Sequence, residues 1–233
     1  MKRTHDECYL NENNSSIKQS FVEVADEVSQ EGFATIADVG CATGAFPSYL
    51  RARFPNQEVV GIEFLDSLRL KAERDFPSID VRYGNVLDKT SVTQKFDVIT
   101  MLGVLCIFDD YKSVIENVLG WLNPGGRLIL HNMVSEFDVD VTIKYKESSL
   151  NPKLDDLESG WNIISERSLS LVANENHATI ISSKPFNLKV DLSKTDDVMR
   201  SWTESNANGD NEIYNALHIR QPQRIVTIKK LKD

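Results

Sequence analysis

Apolar positions along this chain follow two rhythms in turn. Residues 17–29 set Phe21, Val24, Ala25 and Val28 at helical spacing, which predicts a first amphipathic helix ended by Gly32. Residues 35–39 then read as a short buried strand, and 46–54 as a helix closed by Pro55. The alternation continues with a strand at 58–63, a helix at 67–76, a strand at 79–83 and an exit loop at 84–88. A strand at 96–101, a helix at 111–122, a turn at 123–126 and a strand at 127–131 complete the series. Strands and helices taking turns at this pitch predict βαβ units, and so an α/β fold with a mostly parallel sheet covered by helices on both faces.

Beyond Met133 the pattern loosens. Residues 135–157 are polar and without a clean period, 162–173 read as a helix and 177–182 as a strand. Residues 203–209 read as a polar Asn/Gly loop, and 224–230 as a terminal strand. No internal repeat is present, so the tail reads as completion of the same sheet rather than a second domain. The first 15 residues are polar and read as loop or helix cap.

Composition narrows the class. Of 233 residues, 41% are hydrophobic and 26% charged, which suits a globular chain with a full core. A net charge of −9 argues against a partner bound through its phosphate backbone, so no nucleic acid is expected. No apolar run approaches a membrane span and no signal-like core opens the chain, so no membrane partner is expected either. Cys8, Cys41 and Cys106 have no metal-ligand or CxxC spacing. They read as reduced thiols in a cytoplasmic protein, with Cys41 a small turn residue rather than a nucleophile. His5, His177 and His218 read as surface histidines, and no grouping of acidic, His and Cys residues predicts a metal.

The candidate chemistry begins where the first strand ends, at Asp38-Val39-Gly40-Cys41-Ala42-Thr43-Gly44-Ala45-Phe46. Small residues there let the backbone approach a ligand, and a helix N-terminus follows. Ligands of open α/β sheets bind beyond the carboxyl ends of the strands, so this turn, Glu63 and Asn85 should converge on one pocket. Glu63 suits the two hydroxyls of a ribose. The dinucleotide pattern G-x-G-x-x-G fails, because Ala42 and Ala45 stand at its second and third glycines. Asp38 would moreover oppose a pyrophosphate, and it favours a ligand carrying a cationic amino group. No Lys-Ser/Thr follows the turn, which excludes a Walker-type phosphate loop.

Asp38 to Gly44 resembles the first motif of class I S-adenosylmethionine-dependent methyltransferases, with Ala42 in place of an expected glycine. Gly84-Asn85, Phe96-Asp97-Val98-Ile99 with Met101 to Leu105, and Leu122-Asn123-Pro124-Gly125-Gly126-Arg127-Leu128 resemble later motifs of that family, in order. The match spans residues 33–133. It implies a Rossmann-like, mostly parallel seven-stranded sheet ending in an antiparallel hairpin, in one domain over 1–233. Residues 1–32 would form a helical cap, 33–133 the cofactor-binding core, and 134–233 the acceptor-side insertion and last strands. The implied cofactor is S-adenosylmethionine, leaving as S-adenosylhomocysteine. The implied binding set is Asp38, Gly40, Cys41, Ala42, Gly44, Glu63, Phe64, Asn85, Val86, Met101 and Leu102. Asn85 also suits a turn for local reasons, and Asp88 suits the start of a helix at Lys89.

The acceptor is less legible. Met101-Leu102-Gly103-Val104 stands where an Asn-Pro-Pro-Tyr signature would mark methylation of nucleic-acid amines. A hydroxyl acceptor calls for a base, and His131 ends the fifth strand on the ligand side. The alternative is a histidine merely hydrogen-bonded at a strand end, with transfer carried by alignment alone. Tyr9, Phe21 and the N-terminal segment would fold over the pocket, with 1–25 and 134–160 supplying acceptor contacts. Trp161-Asn162 with Ser165, Pro185-Phe186 and Trp202-Thr203 are similar to bacterial methyltransferases of sugar and surface-polysaccharide chemistry. The expectation is methylation of a small molecule, an oxygen on a sugar or related metabolite. Two other readings stand beside it: a regulatory module that holds the same ligand without transfer, and an NAD(P)-dependent oxidoreductase.

Overall fold

The computed structural model describes residues 9–10, 17–29, 32–149 and 157–232. His5, Cys8 and most of the expected N-terminal loop lie outside the described residues. Helix α1 spans Gln19–Val28, followed by β1 (Thr35–Val39), α2 (Ala45–Arg53), β2 (Glu58–Glu63), α3 (Asp66–Asp75) and β3 (Asp80–Tyr83). Next come β4 (Phe96–Leu102), α4 (Tyr111–Gly120), β5 (Leu122–Ser135), β6 (Lys144–Tyr145), β7 (Glu158–Ser159) and β8 (Ile164–Ser165). Helix α5 (Glu166–Glu175), β9 (Ala178–Pro185), β10 (Trp202–Ser205), β11 (Asn211–Tyr214) and β12 (Gln223–Lys230) close the chain.

The main sheet runs β3-β2-β1-β4-β5-β12-β9. The first five strands are parallel, and β12 lies antiparallel between β5 and β9. This is the mostly parallel sheet with a closing antiparallel hairpin that the motifs imply, with β8 added beside the end of β5. Its parallel strands are rich in Val and Ile because both faces are covered. On one face Ala37, Val39, Ile99 and Met101 pack with Val114, Val118 and Leu169 of α4 and α5. On the other, Ile36, Val98 and Ile129 pack with Val24, Val28 and Leu50 of α1 and α2. The strand order reverses between β1 and β4, and that places a crevice at their carboxyl ends.

The differences from the sequence pattern have local causes. The expected turn at 123–126 is a bulge inside β5: Phe96 pairs with Leu122 and Val98 with Arg127, so Asn123 to Gly126 loop out between them. Gly125 takes φ +79° there, and Asn123 Nδ2 donates to Asp97 Oδ1 at 2.8 Å. The helix expected from 162 starts at Glu166, because Ile164 and Ser165 pair with Val134 and Ser135. Ser165 then caps it, accepting from Ser168 N at 3.1 Å. The loop expected at 203–209 is a β10–β11 hairpin, its turn held by Asn206 Oδ1 accepting from the Asn208 and Asp210 amides. Asp88 starts no helix. It folds a local turn by accepting from Thr90 N and Oγ1, at 2.9 and 2.8 Å.

One buried polar junction ties α1 to the sheet. Arg127, 3% exposed on β5, donates to the carbonyls of Glu27 (3.1 Å) and Val28 (2.9 Å). These carbonyls lie in the last turn of α1, where a cation also suits the helix dipole. The Glu27 carboxylate accepts from Thr227 Oγ1 at 3.1 Å and from Lys184 Nζ at 2.7 Å. Removing the guanidinium strands two carbonyls in an apolar layer. Arg127→Met should therefore lower the unfolding free energy by about 3 kcal/mol in urea denaturation. Lys112→Met, on the exposed face of α4, should change it by under about 0.5 kcal/mol.

Candidate functional site

The register of β1 against β4 sets Asp38 beside Thr100 on the same face of the sheet. Thr100 Oγ1 donates to Asp38 Oδ1 at 2.8 Å, and both residues are buried. Beyond Asp38 the chain bends over the end of β2, with the amides of Gly40 and Cys41 both donating to Ile62 O (2.8 and 3.2 Å). Gly40 takes φ +72°, and a Cβ there would stand 2.4 Å from Val104 Cγ2. Ala42 also takes a left-handed φ of 49°, which costs a non-glycine residue roughly 1 kcal/mol. Glu63 offsets that cost. Its Oε2 accepts from Ala42 N at 3.0 Å and its Oε1 from Leu65 N at 2.8 Å, so one carboxylate joins the turns after β1 and β2.

These strand ends border a cavity of about 370 Å³. Asp38, Gly40, Cys41, Ala42, Glu63, Phe64, Asn85, Val86, Leu102 and His131 all line it. Two expected residues do not. Gly44 packs against α3 instead, where a Cβ would meet Ala72 at 3.0 Å and Phe76 at 3.3 Å. Met101 points to the other face of β4, into the core beneath α4. Cys41 borders the cavity, but its side chain belongs to a cluster with Ala72, Ile79 and Val81. Burial, then the charges of Asp38 and Glu63, push its thiol well above the usual range, so it is no nucleophile.

Asn85 holds its own loop. Its Oδ1 accepts from Leu87 N at 3.0 Å, and its backbone is braced by Ser91 Oγ. Phe64 stacks at a tilt on Tyr83, with centroids 6.0 Å apart, and forms part of the wall. His131 sits on β5 opposite Leu102 and Ile225 and meets the Phe186 ring edge-on at 4.5 Å. Its Nε2 is buried and has no hydrogen-bond partner among the described residues. Burial lowers its pKa to about 4, so the ring is neutral near pH 7. His177 and His218 are exposed and outside the lining.

The pattern of motifs missed Thr100, which holds Asp38 without lining the cavity, and several lining residues. Thr100 could have been found by pairing β1 with β4, because Asp38 and Thr100 are equivalent positions of two parallel strands. Val104, Ile107 and Phe108 come from the loop after β4, and Lys18, Ser20 and Phe46 from the first two helices or their edges. Phe46 and Val104 fall within the quoted motifs, but no sequence signal singled out the others. Tyr9 and Phe21, expected over the pocket, do line it.

The lining suits a nucleoside with a charged amino-acid tail: two buried carboxylates, the turn from Gly40 to Ala42, and apolar walls. Residues 37–128 match the family model described as a methyltransferase domain. That segment is a methyltransferase domain, and its motifs resemble those of the class I S-adenosylmethionine-dependent enzymes. Its cofactor is S-adenosylmethionine. A demethylmenaquinone methyltransferase of Deinococcus radiodurans is 34% identical over 99 residues, 41% of each chain. The malonyl-[acyl-carrier protein] O-methyltransferase 2 of Ilyobacter polytropus is 25% identical over 190 residues, 78% of this chain and 68% of that one. The chain thus spans about two fifths of the first relative's length. Among solved structures, magnesium protoporphyrin IX methyltransferase from Synechocystis PCC 6803 with bound S-adenosylhomocysteine superposes with a TM-score of 0.53. It is 12% identical, and the match covers 97% of this chain and 83% of that one. Among the described residues no helix is long and apolar enough to cross a membrane.

Asp38 gives the methyltransferase site a pH signature. Burial, reinforced by the charge of Glu63 and opposed by the Thr100 hydrogen bond, raises its pKa from 3.8 to about 8. Between those values the folded protein keeps a proton that the unfolded chain has released, so Asp38 lowers stability as pH rises. A bound ammonium group favours the ionised form. S-adenosylhomocysteine affinity should therefore rise with pH up to about 8 and then level off. Calorimetry in buffers of different ionisation enthalpy should show proton release on binding below that pH. Asp38→Asn should remove both effects.

Proposed function

We propose that this protein transfers a methyl group from S-adenosylmethionine to a hydroxyl oxygen of a small molecule, a sugar or related metabolite. The observation that carries the reading is one cavity lined by Asp38, Glu63 and His131, whose buried Nε2 has no partner among the described residues. When bound, the cofactor supplies an electrophilic methyl group on a sulfonium sulfur. Asp38 would attract the cationic amino-acid end. Glu63 would accept from the ribose hydroxyls, since a carboxylate's acceptor capacity exceeds its two backbone bonds. Phe64, Val86 and Leu102 would flank the adenine ring. Asn85, with its Oδ1 engaged by Leu87, would offer Nδ2 hydrogens to a ring nitrogen. Gly40, Cys41 and Ala42 would contact the ligand through their backbone, with Gly44 and Met101 acting from behind as packing.

His131 would hold the acceptor hydroxyl and take its proton as the oxygen–carbon bond forms. Phe21, Ile107 and Phe108, which line the same cavity, would keep water from the reacting groups. The Ilyobacter relative is named an O-methyltransferase, which supports an oxygen acceptor. The net charge of −9 supports a small molecule over nucleic acid. The absence of an apolar crossing helix among the described residues fits the expected cytoplasmic location.

Calorimetry with S-adenosylmethionine and S-adenosylhomocysteine is the first test, and no binding of either at millimolar concentration would falsify the assignment. Release of S-adenosylhomocysteine across panels of hydroxyl, carboxyl and amine acceptors then tests the oxygen. His131→Gln should lower kcat on a hydroxyl acceptor by about 10²-fold or more while leaving the S-adenosylhomocysteine Kd unchanged. A binding module without transfer would show the Kd and no turnover with any acceptor.

A further inference from the structure

A second, smaller cavity of about 160 Å³ opens between the β10–β11 hairpin and the start of β12. Its lining includes Glu136, Phe186, Glu212, Arg220, Gln221 and Arg224. We propose that this groove is a subsite for a neutral, hydrogen-bonding group, a hydroxyl- or carboxamide-bearing part of the acceptor.

Three observations support the assignment. Gln221 is 6% exposed, and its Oε1 accepts from Ser201 Oγ at 3.1 Å, yet its Nε2 is buried with no partner among the described residues. A buried amide N–H left without an acceptor is costly, and a turn of the Gln221 side chain toward the groove it lines would give it a ligand oxygen. The charges around it are already matched. Arg220 pairs with Glu212 at 3.3 Å, which also accepts from Tyr214 OH at 2.7 Å. Arg224 pairs with Glu166 at 3.7 Å and donates to Ser183 Oγ at 3.0 Å. With Glu136 in the lining as well, the two guanidiniums are offset by acids. An oxyanion would have to displace these partners, whereas a neutral oxygen for Gln221 and a hydroxyl for Glu136 would not.

Position supplies the third. Phe186 lines the groove, and its ring meets His131, which lines the larger cavity, at 4.5 Å. The His131 and Phe186 rings, in contact, thus border one space each. An elongated acceptor would lie across Phe186, with its reacting oxygen at His131 and its polar far end at Gln221. This role as acceptor subsite rests on the methyl-transfer reading. The groove's preference for neutral hydrogen-bonding groups does not.

The test uses the full ¹⁵N-labelled chain, with the Gln221 side-chain amide assigned from its loss in Gln221→Leu. N-acetylglucosamine at millimolar concentration should shift that amide saturably, and acetate and inorganic phosphate should not. Gln221→Leu and Gln221→Glu, the second keeping the oxygen for Ser201, should weaken N-acetylglucosamine binding about fivefold or more by the remaining groove signals. Both should keep the wild-type Kd for S-adenosylhomocysteine, which also reports folding. No shift with the neutral probe overturns the proposal. So does a larger shift with acetate or phosphate, or an unchanged Kd in the variant that folds. If S-adenosylhomocysteine fails to bind the wild type while Gln221 responds, the methyl-transfer reading falls and the subsite stands.

Discussion

The site depends on one carboxylate. Glu63 accepts the amides of Ala42 and Leu65, and so ties the turn after β1 to the turn after β2. That bond holds Ala42 in a left-handed conformation where glycine would settle unaided. It also keeps Glu63 buried, 6% exposed and close enough to Asp38 and Cys41 for its charge to raise both their pKa values. The tight turn bears the mark of this one group, and so, after the larger effect of burial, do the raised pKa values of Asp38 and Cys41. A cationic ligand reverses the strain, because it gives two neighbouring carboxylates a charge to share.

The first half of the site was legible in the sequence because it obeys period and punctuation. Parallel strands buried on both faces read as Val/Ile runs, and each carries its candidate residue within two positions of its carboxyl end. Asp38, Glu63 and Asn85 follow that rule and meet at one cavity. Met101 misled because strand alternation turns it to the opposite face from Thr100. Gly44 misled because a glycine in a motif serves helix packing as readily as ligand approach. The bulge in β5 and the β10–β11 hairpin escaped because Asn, Gly and Pro mark a change of direction without saying whether a ladder resumes.

The second half is built from single contacts between distant segments, and no local pattern encodes those. Asn162 is the clearest case. Its Oδ1 accepts from Ile143 N at 2.8 Å, its Nδ2 donates to Phe108 O at 3.1 Å, and its backbone N–H donates to Cys106 O at 2.8 Å. Asp109 adds a cluster with Lys144 and Ser159, and Asp140 fastens the same segment to the start of α5 through Ser165 N and Ser168 Oγ. The insertion after β5 is thus bolted to the loop after β4, the loop that also walls the cavity through Val104, Ile107 and Phe108. Changes in the insertion reach the acceptor side through that loop, while the Glu63 clamp lies on the far side of β4.

The state of His131 bears on how transfer is achieved. A base whose pKa lies about 4 is a poor match for an unactivated hydroxyl, whose own pKa is far higher. It cannot hold a substantial population of alkoxide before the reaction. An oxygen already bonding to carbon is a different acid, because its proton becomes more acidic as positive charge develops, and a weak neutral base then suffices. General-base help of this kind is worth about 10²–10⁴-fold, whereas alignment of two reactants supplies effective molarities of about 10⁵–10⁸ M. The larger share of the rate therefore belongs to whatever fixes the acceptor's angle and distance. Under the proposed function, Phe186 against His131 and the loop that Asn162 braces would do so.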